Sequence, residues 1–228
     1  YAYGQSTTAM VAISWTKPRG GQKRVRCGRA RRSLADGNAS QWQIQLNTQI
    51  CKAAMAEGFE GILNSVMQWH ADMNIVNFTT ALHKLARCFK DGQNIEVTDS
   101  RFVFLRSQTL CCLEREMADS QPRCWASIAW AYSSMQVRDA ETALMFECIG
   151  SLAADRLECF KPMELTNLLW AFSKLQARNQ VLFDSAQHVI QSNIDAFAPM
   201  NLSTLVWAFV TAQQTRAERI LTLIAEKF

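Results

Sequence analysis

Short amides, hydroxyls and lysines recur at fixed spacing along the chain, and these are the residues best suited to recognition chemistry. Asn77, Ser127, Asn167 and Thr204 form one column; Lys84, Ser134, Lys174 and Thr211 form a second. Amide and hydroxyl side chains supply both donors and acceptors, so one per repeat can read the exposed edge of one base in a single strand. A lysine one or two turns further along, Lys84 or Lys174, suits a phosphate. The plainer reading is the polar side of any amphipathic helix, solvated or packed, which Asn, Ser and Thr fill harmlessly. A separate basic set lies in the first 40 residues: Lys17, Arg19, Lys23, Arg24, Arg26, Arg29, Arg31 and Arg32 against one acid, Asp36. It suits phosphate contacts, an organelle transit segment or a solvated tail.

Catalytic chemistry finds little to work with. His70, His83 and His188 are scattered, and no nucleophile–His–acid set can be assembled from the spacing. Gly20–Gly21 lacks the strand and helix that a phosphate loop needs. The eight cysteines include no Cys-x-x-Cys pair, and three histidines offer no zinc spacing. Cys111 and Cys112 read as helix core. No enzyme activity, metal or cofactor is expected, and the free cysteines fit a reducing compartment.

The elements that must position the polar columns announce themselves as a repeat. Residues 160–172 (FKPMELTNLLWAF) and 197–209 (FAPMNLSTLVWAF) are identical at eight of thirteen positions at an offset of 37. At an offset of 40, Pro122, Trp130, Ala131 and Tyr132 match Pro162, Trp170, Ala171 and Phe172. A weaker copy at 74–86 aligns Asn77, Ala81, Lys84 and Leu85 with Asn167, Ala171, Lys174 and Leu175. Each copy reads as an amphipathic helix: Leu165, Leu168, Leu169, Phe172 and Leu175 share one side, and proline sits in the first turn. Ala81, Ala131, Ala171 and Ala208 form a small-residue column for close helix packing. Second helices are expected near 139–157, 179–194 and 216–228, and two more at 41–56 and 59–71, separated by Gly58. A polar loop replaces helix near 90–100. Trp130, Trp170 and Trp207 sit inside the apolar signature and read as core, with stacking on bases the alternative.

Only four glycines and three prolines lie beyond residue 40, too few turn-formers for a many-stranded sheet. The expected fold is all-α: at least eight helices, stacked as an α-solenoid with a 37–40-residue repeat. The expected division is a basic arm at 1–40 and a helical-repeat domain at 41–228, its copies starting near 74, 122, 162 and 199. Residues 15–35 are expected to be extended and held by another molecule. No membrane span is visible. A first residue of Tyr and a last helix reaching Phe228 suggest a processed or partial chain.

The Pro-x-x-Leu-(Ser/Thr)-x-Leu-(Leu/Val)-Trp-Ala-Phe signature resembles the octotricopeptide repeat family and the related heptatricopeptide and FAST-kinase-like repeat proteins. The segment at 62–86 is similar to the N-terminal repeat of that group. The resemblance covers about 60–228 and implies helical-pair solenoids that bind organellar RNA. It implies roles in RNA stability, translation, processing or ribosomal organisation, and a mitochondrial more than a plastid location. Many members end in a RAP domain, which these residues do not contain. The expected partners are single-stranded or ribosomal RNA and the proteins of a large assembly. The alternative is a protein-binding scaffold in a respiratory, photosynthetic or ribosomal complex. Residues 41–228 carry sixteen Lys/Arg against nineteen Asp/Glu, which favours that alternative and assigns most electrostatic affinity for RNA to the arm.

Overall fold

The computed structural model describes residues 41–94, 96–116, 120–214 and 217–227. The basic arm, with Arg19, Lys23, Arg24, Arg26, Arg29, Arg31 and Arg32, lies outside the described residues. The described residues form nine α-helices and no strand, an all-α architecture. The helices are α1 (Gln41–Trp69), α2 (Ile75–Lys90), α3 (Ser100–Arg115), α4 (Pro122–Ser134), α5 (Ala140–Ala154), α6 (Pro162–Leu175), α7 (Gln180–Ser192), α8 (Pro199–Thr211) and α9 (Glu218–Ala225).

Local chemistry explains the helix ends. Pro122, Pro162 and Pro199 each open a helix, where the missing N–H has no intrahelical acceptor to lose. Asn74 caps α2 by accepting from the Val76 and Asn77 amides. Asp99, Asp139 and Asn179 cap α3, α5 and α7 in the same way. Gly58 breaks α1 at φ 61°, ψ −136°, a conformation open to glycine and costly for other residues. The Gln93 side chain crosses that break and accepts from the Phe59 amide at 3.1 Å.

The helices lie in two rows. In the first, α1, α2, α4, α6 and α8 pack side by side in chain order. In the second, α3, α5, α7 and α9 follow one another behind them. Ala81, Ala131, Ala171 and Ala208 are fully buried between first-row helices, as the small-residue column requires. Two equivalent hydrogen bonds lock that row. Ser133 Oγ donates to the Ala171 carbonyl at 3.0 Å, and Ser173 Oγ donates to the Ala208 carbonyl at 2.8 Å. Ring pairs tie the rows together: Phe146–Phe172 at 4.8 Å and Phe183–Phe209 at 5.5 Å between centroids.

Gly150 marks the tightest crossing. It is buried in α5, and a Cβ there would collide with the Asn179 side chain and stand 3.3 Å from the Phe172 ring. Alanine is the better helix former by about 1 kcal/mol. Gly150→Ala should nevertheless destabilise the protein by about 1–3 kcal/mol, because Asn179 must abandon the α7 cap to make room. A urea midpoint equal to or above wild type would contradict this.

The sequence reading placed Cys111 and Cys112 in helix core without delimiting the helix, which is α3. Its signals are the Asp99 cap and an apolar line through Phe102, Leu105, Cys112 and Leu113, all buried. No helix among the described residues is long and apolar enough to cross a membrane.

Candidate nucleic-acid interface

Helices α2, α4 and α6 have first-row neighbours on two flanks and the second row behind, which leaves one free arc; α8 ends the row with α6 on one flank. On α6 that arc holds Met163, Asn167, Trp170 and Lys174, at i, i+4, i+7 and i+11. The equivalent residues are Arg123, Ser127, Trp130 and Ser134 on α4, and Met200, Thr204, Trp207 and Thr211 on α8. On α2 the arc holds Thr80, Lys84 and Arg87. The structure therefore brings Ser127, Asn167, Thr204, Lys84 and Lys174 onto one surface. All five are half-buried.

Asn77 does not join them. It is fully buried, and its amide is spent on structure. Its Oδ1 accepts from the Asn74 amide at 3.1 Å, and its Nδ2 donates to the Gln43 carbonyl and to Asn47 Oδ1, both at 2.9 Å. The first half of α1 covers this point of the arc, leaving no room for a base. Asn167 and Ser127 have no hydrogen-bond partner among the described residues, so the Asn167 amide offers its full set of donors and acceptors. The Thr204 hydroxyl turns back to the Met200 carbonyl at 2.9 Å and keeps acceptor capacity.

The three repeat tryptophans are equivalent in position; Trp130 and Trp170 pack against the edge of the core, and Trp207 does not belong to it. Trp130 and Trp170 are half-buried, and Trp207 is 41% exposed. The reason is angular: Trp170 follows Leu169 by one residue, which turns it about 100° away from the leucine side and onto the free arc. The Trp170 and Trp207 ring centroids lie 6.4 Å apart. One repeat earlier, His83 packs against Trp130 at 5.0 Å, and Lys90 Nζ stands 5.6 Å from the same ring. Burial, with Arg87 and Lys84 nearby, pushes the His83 pKa down and keeps the imidazole neutral. The fully buried tryptophan is Trp125, whose Nε1 donates to Ser120 Oγ at 2.8 Å. Trp69 is half-buried against Trp42 at 5.3 Å.

Charge is divided between the rows. Helices α2, α4, α6 and α8 carry Lys84, Arg87, Lys90, Arg123 and Lys174 against one acid, Glu164. The Glu164 carboxylate accepts from the Lys161 amide at 2.9 Å. Helices α3, α5, α7 and α9 carry Arg101, Arg106, Arg115 and Arg219 against Glu114, Glu141, Glu147, Asp184 and Glu218. The acid excess of residues 41–228 therefore does not describe α2, α4 and α6, whose helices are basic; α8 carries no charge, and α1 carries Lys52 against Glu57 and Glu60. Arg87, Lys90 and Arg123 escaped the sequence reading. Their signal was the arc through the tryptophans rather than the leucines.

Elsewhere, Cys112 is buried and burial pushes its thiol up to about 12, with the Glu116 carboxylate adding to the effect. Its neighbour Cys111 is exposed, contrary to the expectation of core for both, since the buried side of α3 runs through Cys112 and Leu113 and Cys111 falls one step outside it. Among the described residues no group of His, Cys, Asp and Glu is placed to hold a metal ion. No protein-family profile matches the chain, and no curated protein matches it.

Proposed function

We propose that this is an RNA-binding α-solenoid of 37–40-residue repeats, of the octotricopeptide-like kind its signature resembles, acting in an organellar ribonucleoprotein. A single strand lies along the first row. Its bases stack on Trp130, Trp170 and Trp207; its phosphates meet Lys84, Arg87, Lys90 and Lys174; Ser127, Asn167 and Thr204 touch base edges. The observation that carries this reading is the coincidence, among the described residues, of the tryptophan line with the cations of α2, α4 and α6, helices that hold one acid, Glu164. Stacking platforms beside tracking cations are how proteins hold single strands with little sequence preference.

Titrating the full chain with single-stranded RNA should quench tryptophan fluorescence, and Trp170→Phe with Trp207→Phe should remove most of the quench. A titration without quenching, with binding measured independently, would show that RNA does not use this surface.

A second reading, a protein-binding scaffold, is favoured by α8. Ala126 and Thr166 are buried where Ser203 is exposed, and Ser133 and Ser173 are buried where Val210 is 59% exposed. With Met200 at 79% and Trp207 at 41%, that flank offers an apolar strip suited to another helix. Failure of RNA binding at low salt would make this the better account.

A further inference from the structure

The ends of the first-row helices carry a device that the repeat signature hides. Gln136, Gln176 and Gln213 recur at the repeat offsets, and all three adopt left-handed φ, at 55°, 58° and 52°. Each closes its helix in the same way. The amide of the following residue reaches back to the Tyr132, Phe172 or Phe209 carbonyl, at 3.2, 2.9 and 3.2 Å. What lies beside these closures differs. After α4, Arg138 spans the end of α6, with Nη2 3.0 Å from the Lys174 carbonyl and Nη1 3.4 Å from that of Leu175. After α6, the equivalent Arg178 is exposed and makes no such bond to the end of α8.

In the space between Arg178 and the end of α8 there is a cavity of about 150 Å³. Phe172 stands where the earlier repeat has Tyr132. The cavity has an apolar floor of Phe172 and Phe183, which are 2% and 1% exposed, and a polar wall that includes Arg178, Thr211 and Gln214. Gln214 Oε1 is buried without a donor. A buried acceptor in that state is costly until a partner arrives. Thr211 also belongs to the free arc of α8, so the cavity adjoins the surface assigned above to RNA.

We propose that this cavity takes a single pyrimidine base flipped out of the bound strand, an inference that rests on the RNA reading of the first row. A cavity of about 150 Å³ accepts one six-membered aromatic ring, and a two-ring purine overfills it. The ring lies on Phe172 and Phe183. Uracil N3–H or the cytosine amino group donates to Gln214 Oε1 once the side chain turns inward, and Arg178 donates to a pyrimidine carbonyl. A flipped base read on its edge is the usual way proteins distinguish single-stranded sequences.

The test compares labelled U12, C12 and A12 binding to the full chain and to Ala212→Leu, which fills the cavity from its wall. Wild type should bind U12 and C12 about tenfold more tightly than A12. Ala212→Leu should erase that preference and leave A12 binding as it was, with an unchanged circular dichroism spectrum. Equal affinity of wild type for all three, or a preference that survives Ala212→Leu, overturns the pocket and leaves RNA binding standing. If no oligonucleotide binds, the RNA reading fails, and saturation-transfer NMR with uridine monophosphate judges the pocket alone. Transfer abolished by Ala212→Leu supports it; absence of transfer overturns it.

Discussion

Trp125→Ala should cost about 3–5 kcal/mol of folding free energy, the range for deleting a fully buried aromatic side chain. The indole is inaccessible to solvent in α4, with the Arg156 guanidinium carbon 4.9 Å from its ring and Phe160 at 6.0 Å. Its removal also breaks the hydrogen bond from its N–H to the Ser120 hydroxyl. Trp207→Ala should behave in the opposite way. That ring is 41% exposed, so stability should fall far less, while affinity for single-stranded RNA drops by the value of one stacked base, about 1–3 kcal/mol. Urea denaturation of both variants, paired with RNA titration of the folded one, checks the contrast. A Trp207→Ala protein as unstable as Trp125→Ala would return the repeat tryptophans to the core.

Asp139→Ala should be the second severe lesion, at about 3 kcal/mol, the low end for breaking a buried ion pair. Arg106 is 2% exposed between Phe102 and Tyr132, each ring about 5.6 Å away. Its Nη2 meets Asp139 Oδ1 at 2.6 Å and Glu141 Oε2 at 3.3 Å. Asp139 also accepts from the Thr142 amide at 2.8 Å and so caps α5. Removing it leaves a buried cation with Glu141 and the Thr142 hydroxyl, each at 3.3 Å, and an uncapped helix. Arg106→Met should cost less, because Asp139 is 40% exposed and can return to water. Burial raises the Asp139 pKa, but Arg106 and the Thr142 amide outweigh it and hold the carboxyl below its ordinary value. Its contribution is therefore present above the ordinary aspartate range and lost as pH falls through the folded value. Glu141 is shifted up by burial and offsets part of this. Denaturation midpoints for both variants at neutral pH check the order; Arg106→Met less stable than Asp139→Ala would contradict it.

Periodicity and proline made the helical architecture legible. Pro122, Pro162 and Pro199 mark true helix starts, and the break at Gly58 falls where expected. The alanine column was readable because only a small residue permits the observed contact. Trp207 was misassigned because proximity in sequence to the leucines was taken as proximity in space; one helical step carries this line to the edge of the core, where Trp130 and Trp170 still pack against it. Asn77 aligns with Asn167, but whether α1 covers it is a tertiary fact with no local signature. The charge division was hidden in the same way, since a net charge sums over both rows. Helix α3 was not delimited because its apolar line is interrupted by Arg106, a buried cation paired with Asp139 and Glu141.

The central claim is that the first row holds an RNA strand through its own cations. The most direct measurement is the salt dependence of single-stranded RNA binding by the full chain and by the Lys84→Gln, Lys90→Gln, Lys174→Gln triple variant. Each phosphate neutralised on a single strand contributes about 0.7 to the slope of log affinity against log salt. The variant should therefore show a slope shallower by about 2, with weaker binding at low salt. An unchanged slope, or no RNA binding by the wild-type chain at low salt, would contradict the account.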